Sequence, residues 1–78
     1  MTRVPRITAK ELVAFLEKMG FSQTRQSGSH KIFRNPDGIR VTVPDHAGKT
    51  IHPKIIKAII VDLKISLDEF CGQIGRAS

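Results

Sequence analysis

Two short apolar segments separated by a turn containing Pro and Gly constrain the fold of this chain most strongly. The segments are residues 31–34 and 39–43, and the sequence NPDG lies between them. Pro and Gly occupy positions that β-turns prefer, and the second segment alternates apolar and polar side chains as a half-buried strand does. The sequence therefore predicts an antiparallel β-hairpin.

The side chains of this hairpin favour one pairing register. A type I turn with Gly38 in a left-handed bulge position pairs Phe33 with Val41, so that the apolar side chains share one face. A plain two-residue loop would instead place Phe33 opposite Arg40, and a one-residue slip sends every side chain to the other face. We therefore predict the bulged register, in which the two strands have one apolar face and one open face.

His30 lies on the open face in this register. Gly28 and Ser29 precede it, and these small residues allow another backbone to approach closely. Arg34 beside Arg40 occupies the same face. Because a free imidazole titrates at about pH 6.5, a solvent-facing histidine is a candidate general acid/base. The alternative is a histidine at a strand end that only tolerates solvent.

Helical signals flank the hairpin. The TAKE sequence at residues 8–11 matches a capping box and predicts a first helix from about residue 9 to residue 19. Pro53 suits the first turn of a second helix with an isoleucine stripe, and a second capping box, SLDE at residues 66–69, predicts a short extra C-terminal helix. The polar residues 22–27 are typical of an edge strand protected by Arg25.

The predicted element order is α-β-β-β-α followed by the short extra helix. It indicates an α+β fold in which a three-stranded antiparallel sheet carries helices on one face and leaves the His30 face open. We expect one domain over residues 1–78, with a basic lead-in at residues 1–7 and a frayed tail at residues 75–78.

Charge and cysteine content narrow the function. The chain has 13 Lys and Arg against 7 Asp and Glu, a net charge of +6, which favours a polyanionic partner such as nucleic acid over a merely soluble basic surface. The single Cys71 excludes an intrachain disulfide. We found no segment typical of a signal peptide or a membrane span, so we expect a cytoplasmic protein without a membrane partner.

Several motifs in order resemble one protein family. GSH at residues 28–30, the hairpin, VPDH at residues 43–46 and Lys49 before an isoleucine-rich helix resemble the HicA toxins, small bacterial mRNA interferases of toxin–antitoxin systems. The resemblance covers about residues 8–65. It implies a double-stranded-RNA-binding-domain-like fold, metal-independent cleavage of mRNA without a cofactor, a catalytic histidine at His30, and a HicB-like antitoxin as protein partner.

The chemistry of RNA cleavage fits these residue types. RNA carries its own nucleophile, the 2′-hydroxyl, so a nuclease needs a proton acceptor and cations that stabilise the charged transition state. We predict His30 as the catalytic residue. His46 is a candidate proton donor or phosphate contact, or else a surface histidine. The candidate RNA-binding residues are Lys31, Arg34, Arg40, His46 and Lys49.

Two readings of the function remain open at the level of sequence. The first is an endoribonuclease toxin that acts on mRNA, and the second is a non-catalytic nucleic-acid-binding module that uses the same basic face. The absence of Trp and Tyr argues against a base-stacking platform and for recognition of backbone and shape. A metal site at His30, His46 and His52 would lack the short ligand spacings of known sites, so no metal is predicted. The sequence does not determine the oligomeric state.

Overall fold

The structure is a computed structural model, and it describes residues 4–46 and 49–74. The elements in chain order are α1 (Ala9–Lys18), β1 (Ser22–Ser27), β2 (His30–Arg34), β3 (Arg40–Pro44), α2 (Pro53–Leu63) and α3 (Leu67–Gln73). This α-β-β-β-α-α order is an α+β fold consistent with a double-stranded-RNA-binding-domain-like arrangement, as predicted. The tail predicted at residues 75–78 lies outside the described residues.

The three strands form one antiparallel sheet in the order β1-β2-β3. Phe33 lies opposite Val41, as the predicted register requires. The turn has the predicted bulge: Gly38 has a φ of 86°, and its N–H donates to the Asn35 carbonyl at 3.0 Å. A side chain at a positive φ is strained, so glycine suits this position. The hairpin register is therefore confirmed.

One face of the sheet shares a core with all three helices. Phe33, Val41 and Val43 from the sheet are buried together with apolar side chains of the helices in one core. Within that core the rings of Phe15 and Phe70 meet edge to face, with their centroids 4.8 Å apart. Side chains of the opposite face alternate with those of the core, and no helix within residues 4–46 and 49–74 covers that face. The fold thus leaves one sheet face accessible to a large ligand.

Side-chain caps define where the helices begin. The Thr8 hydroxyl accepts the Glu11 N–H at 3.2 Å, and the Glu11 carboxylate accepts the Thr8 N–H at 3.0 Å, which completes the predicted capping box. His52 caps α2, since its Nδ1 accepts the Lys54 N–H at 3.0 Å. Ser66 caps α3 in the same way. The first helix ends at Lys18, one residue before the predicted boundary.

The segments that precede α1 and α2 are joined to each other. The Ile51 N–H donates to the Ile7 carbonyl at 2.7 Å, and Thr8 forms an isolated antiparallel bridge with Thr50. Ile7 and Ile51 are buried in the core. This connection fixes the chain immediately after Lys49. None of the helices in the described part of the chain has the length and apolar character needed to cross a bilayer.

Candidate active site

His30 is the first residue of β2 and lies in the row of the sheet between Ser27 of β1 and Pro44 of β3. Its side chain is exposed. In an extended strand, residues two apart share a face, so His30 lies on the same face as Ile32 and Arg34, opposite the buried Phe33. The structure therefore places His30 on the open face, where a polymer can reach it.

The turn between β1 and β2 determines where His30 lies. Gly28 has a φ of 58°, a left-handed value that favours glycine, and its carbonyl accepts a hydrogen bond from Gln26 Nε2 at 3.1 Å. The carbonyl of Ser29 accepts the Asp45 N–H at 2.7 Å. The chain that leaves β3 is thus held against the residue immediately before His30.

Lys31 follows His30 in the chain but lies on the other face of the sheet. It pairs with Val43, and its Nζ lies 2.8 Å from Asp45 Oδ2 in a partly exposed ion pair. Such pairs contribute about 1 kcal/mol or less. The structure therefore does not bring the Lys31 ammonium to the His30 face. Its ion pair instead connects β2 to the segment that leads to His46.

Arg34 and Arg40 lie opposite each other at the far end of the hairpin, and both side chains are exposed. They share the open face with His30, as predicted. Arg34 is four positions after His30 along β2, a distance of about 13 Å in an extended strand. The two guanidinium groups are therefore placed to meet a different part of a ligand from the part that meets His30.

His46 and Lys49 lie in the loop that follows β3, and both are exposed. The Lys49 N–H donates to the His46 carbonyl at 3.0 Å. Because Asp45 is bonded to Ser29, this loop leaves the sheet at the end where His30 lies. His46 therefore follows the sheet at the His30 end, and the hydrogen bond to its carbonyl keeps the backbone of Lys49 next to it.

His52 is the N-cap of α2, whereas His30 is the first residue of β2. Among residues 4–46 and 49–74, His, Cys, Asp and Glu side chains form no group of three or more that could hold a metal ion. The buried Cys71 lies in α3, within the core.

Arg25 is a surface residue whose placement the sequence did not predict. The sequence predicts for it only the protection of an edge strand. The structure places it on the open face, in a shallow hollow lined by Thr24, Arg25, Ile32, Arg34 and Arg40. All six residues of β1 are exposed. A strand without an apolar pattern gives no signal for which side chain faces which way.

A comparison with protein families agrees with the motifs and the fold. The sequence profile described as HicA toxin of bacterial toxin–antitoxin matches residues 9–65. This span contains α1, the whole sheet with His30, and α2. No curated protein sequence matches the chain. Because the profile covers most of the 78 residues, the chain belongs to the HicA toxin family of bacterial toxin–antitoxin systems.

Proposed function

We propose that this protein is a toxin that cleaves mRNA as an endoribonuclease, with His30 as its general acid/base. The observation that carries the proposal is the exposed imidazole on the helix-free face of the sheet in a chain of the HicA toxin family. Family membership supports the toxin role, and the open face supports access by a polymer. The net charge of +6 supports a polyanionic substrate.

In the proposed reaction the RNA supplies its own nucleophile. The bond from O2′ to phosphorus forms, the bond from phosphorus to O5′ breaks, and one proton passes from the 2′-hydroxyl to the leaving O5′. His30 takes part in this transfer by accepting the proton of the 2′-hydroxyl or by donating one to O5′, and water serves as the other proton donor or acceptor. The products are a 2′,3′-cyclic phosphate and a 5′-hydroxyl. This reaction uses no metal or cofactor.

The basic residues divide between two tasks in this proposal. His46 and Lys49 belong to the loop at the His30 end of the sheet and contact the phosphate at or next to the bond that is cleaved. Arg34 and Arg40 lie about 13 Å along β2 from His30 and bind phosphates further along the strand. Lys31 acts through its ion pair with Asp45, by holding the segment that carries His46.

The proposed protein partner is a HicB-like antitoxin that covers His30 or the basic face around it. A partner that is acidic where it meets this face would associate quickly, since opposite charges steer the encounter. Such a partner would prevent RNA from reaching the imidazole. The toxin–antitoxin family of this chain supports the existence of a partner of this kind.

Cleavage of synthetic RNA with defined ends tests the proposed reaction. The purified protein should produce 2′,3′-cyclic phosphate and 5′-hydroxyl ends in the presence of a chelator. A matched substrate with one 2′-deoxynucleotide at the cleavage position should resist, because it lacks the nucleophile. Binding of RNA without cleavage of any substrate would contradict the proposal and favour the non-catalytic binding module.

A further inference from the structure

The hollow on the open face of the sheet collects three guanidinium groups from three different strands. Arg25 lies on β1, Arg34 on β2 and Arg40 on β3, and the half-buried Ile32 is part of the lining. All three arginines are exposed. The hollow therefore combines a small apolar surface with positive charge from every strand of the sheet.

A β-bulge brings Arg25 to this face. Gln23 pairs with Phe33 and Arg25 pairs with Ile32, so Thr24 is an extra residue in β1. Its hydroxyl donates to the Ile32 carbonyl at 3.2 Å. Continued from Gln23 without the extra residue, regular pairing would place Arg25 opposite Lys31, on the helix-facing side. The bulge redirects Arg25, a known use of bulges near active sites.

The three arginines have no acidic partner in the described part of the chain. The ion pair found within residues 4–46 and 49–74 joins Lys31 to Asp45, on the other face. Like charges that lie close together repel each other, and Arg34 directly opposite Arg40 is an unfavourable cross-strand pair. An arrangement that costs stability in the free protein and presents planar donor groups to solvent is typical of an anion-binding surface.

We propose that this arginine hollow binds the backbone of the substrate RNA at phosphates that lie away from the cleaved bond. The proposal rests on the proposed function and extends it by assigning Arg25 a role as a positioning residue. It also predicts that the enzyme requires a substrate of minimum length. The hollow shares one face and one strand with His30, so a single RNA strand can reach both.

The distance along β2 sets the expected substrate length. Arg25 pairs with Ile32, which lies about 7 Å from His30 along β2, and Arg34 lies about 13 Å from His30. At a rise of about 3.4 Å per nucleotide, these distances correspond to about two and about four phosphates of a stacked strand. Shorter RNA reaches His30 but not the hollow. Extending the RNA on one side of the cleaved bond should therefore raise kcat/KM once the added phosphates reach the arginines.

An RNA backbone explains the hollow better than an acidic protein does. Guanidinium groups bind phosphate through two parallel hydrogen bonds. Arg25 pairs with Ile32, and the pair of Arg34 and Arg40 lies further from His30, so the hollow can contact more than one phosphate of a chain that extends from His30. The apolar surface of Ile32 can pack against a sugar or base. The acidic antitoxin remains the competing ligand, and the experiment includes it.

The test compares Arg25→Gln with a matched control, Arg6→Gln, which removes the same charge from an exposed arginine outside the sheet. The first readout is kcat/KM on RNAs lengthened separately on either side of the cleaved bond. For wild type and Arg6→Gln, kcat/KM should rise by at least about tenfold once the RNA is long enough to reach the hollow. Arg25→Gln should have the same kcat/KM as wild type and Arg6→Gln on the shortest RNA but should not show the rise on longer RNA. Arg25→Lys should recover part of the rise.

The second readout is binding of uncleaved RNA in a His30→Ala background, which decides the proposal even if no cleavage occurs. Arg25→Gln should lower the slope of log affinity against log salt by about 0.7 for single-stranded RNA. An unchanged slope would overturn the arginine hollow as an RNA site, whereas absence of cleavage by wild type would overturn only the proposed reaction. Weaker binding of Arg25→Gln to the antitoxin, with both RNA readouts unchanged, would also overturn the proposal that the arginine hollow binds RNA.

Discussion

Phe33 lies directly opposite Val41 in the β2–β3 ladder, and both side chains are buried on the helix-facing side of the sheet. The neighbouring Ile32 lies opposite Thr42 on the other side. The same strand therefore contributes one residue to the core and the next to the open face. Because His30 and Ile32 share a face, the burial of Phe33 also determines that His30 meets solvent.

Replacing Phe33 tests this division between the two faces. Phe33→Ala should reduce the free energy of unfolding by about 3 to 5 kcal/mol, because a fully buried ring leaves a cavity in the core. Ile32→Ala should cost clearly less, since Ile32 is only partly buried. Chemical denaturation of both variants measures the difference. Equal losses, or a larger loss at Ile32, would contradict the account of the two faces.

Sequence patterns predicted the hairpin because its apolar residues match in only one register. Phe33 opposite Val41 and the turn ending at Gly38 are therefore found where they were expected. The capping box that begins at Thr8 could also be predicted from the sequence, since it depends on residues three apart. Local signals of this kind determine the elements and their register, and so place His30 on the open face.

Features that depend on distant contacts could not be read from the sequence. The bulge at Thr24 lies in a strand without apolar residues, so no pattern indicated it. The ion pair between Lys31 and Asp45 depends on how the loop after β3 returns to the sheet. The predicted register places Lys31 opposite Val43 on the apolar face. This pairing already indicates that the Lys31 ammonium lies away from the face that carries His30.

Salt dependence tests the basic face as a whole. RNA affinity should fall steeply as salt rises, because contacts to phosphates release counterions. Removing Arg34, Arg40 or Lys49 should each lower the slope of log affinity against log salt by about 0.7 if that residue contacts one phosphate of a single strand. Filter binding at several salt concentrations measures this slope for each variant. Affinity that does not change with salt would contradict a basic RNA-binding face.

Lys31 and Arg34 offer a comparison between the two faces of one strand. Lys31→Gln should weaken RNA binding less than Arg34→Gln, because the Lys31 ammonium is paired with Asp45 on the helix-facing side. Loss of the pair should cost about 1 kcal/mol of stability or less. Affinity titrations and thermal melts of both variants test this. A larger loss of affinity at Lys31 would show that its side chain leaves Asp45 to contact RNA.

The antitoxin surface is testable with two charge changes, one on the open face of the sheet and one on α2. Arg40→Glu reverses a charge on the open face, whereas Val61→Asp alters α2 at a side chain that is 73% exposed. Arg40→Glu should slow association with an acidic antitoxin by about tenfold or more, and Val61→Asp should have little effect. Binding kinetics measured in parallel decide between the faces. Slower association of Val61→Asp, with little change for Arg40→Glu, would place the antitoxin on the helices and contradict direct occlusion of His30.

The rate of RNA cleavage by His30→Ala is the decisive measurement of whether His30 is the general acid/base. Removing a positioned acid/base should lower the rate by about 10² to 10⁴, while an exposed side chain at the start of a strand should change stability by about 0.5 kcal/mol or less. The variant should stay folded, bind RNA and antitoxin nearly as before, and no longer inhibit growth, and His46→Ala should lose less activity. Cleavage at the parental rate by folded His30→Ala would contradict the assignment of His30 as the general acid/base.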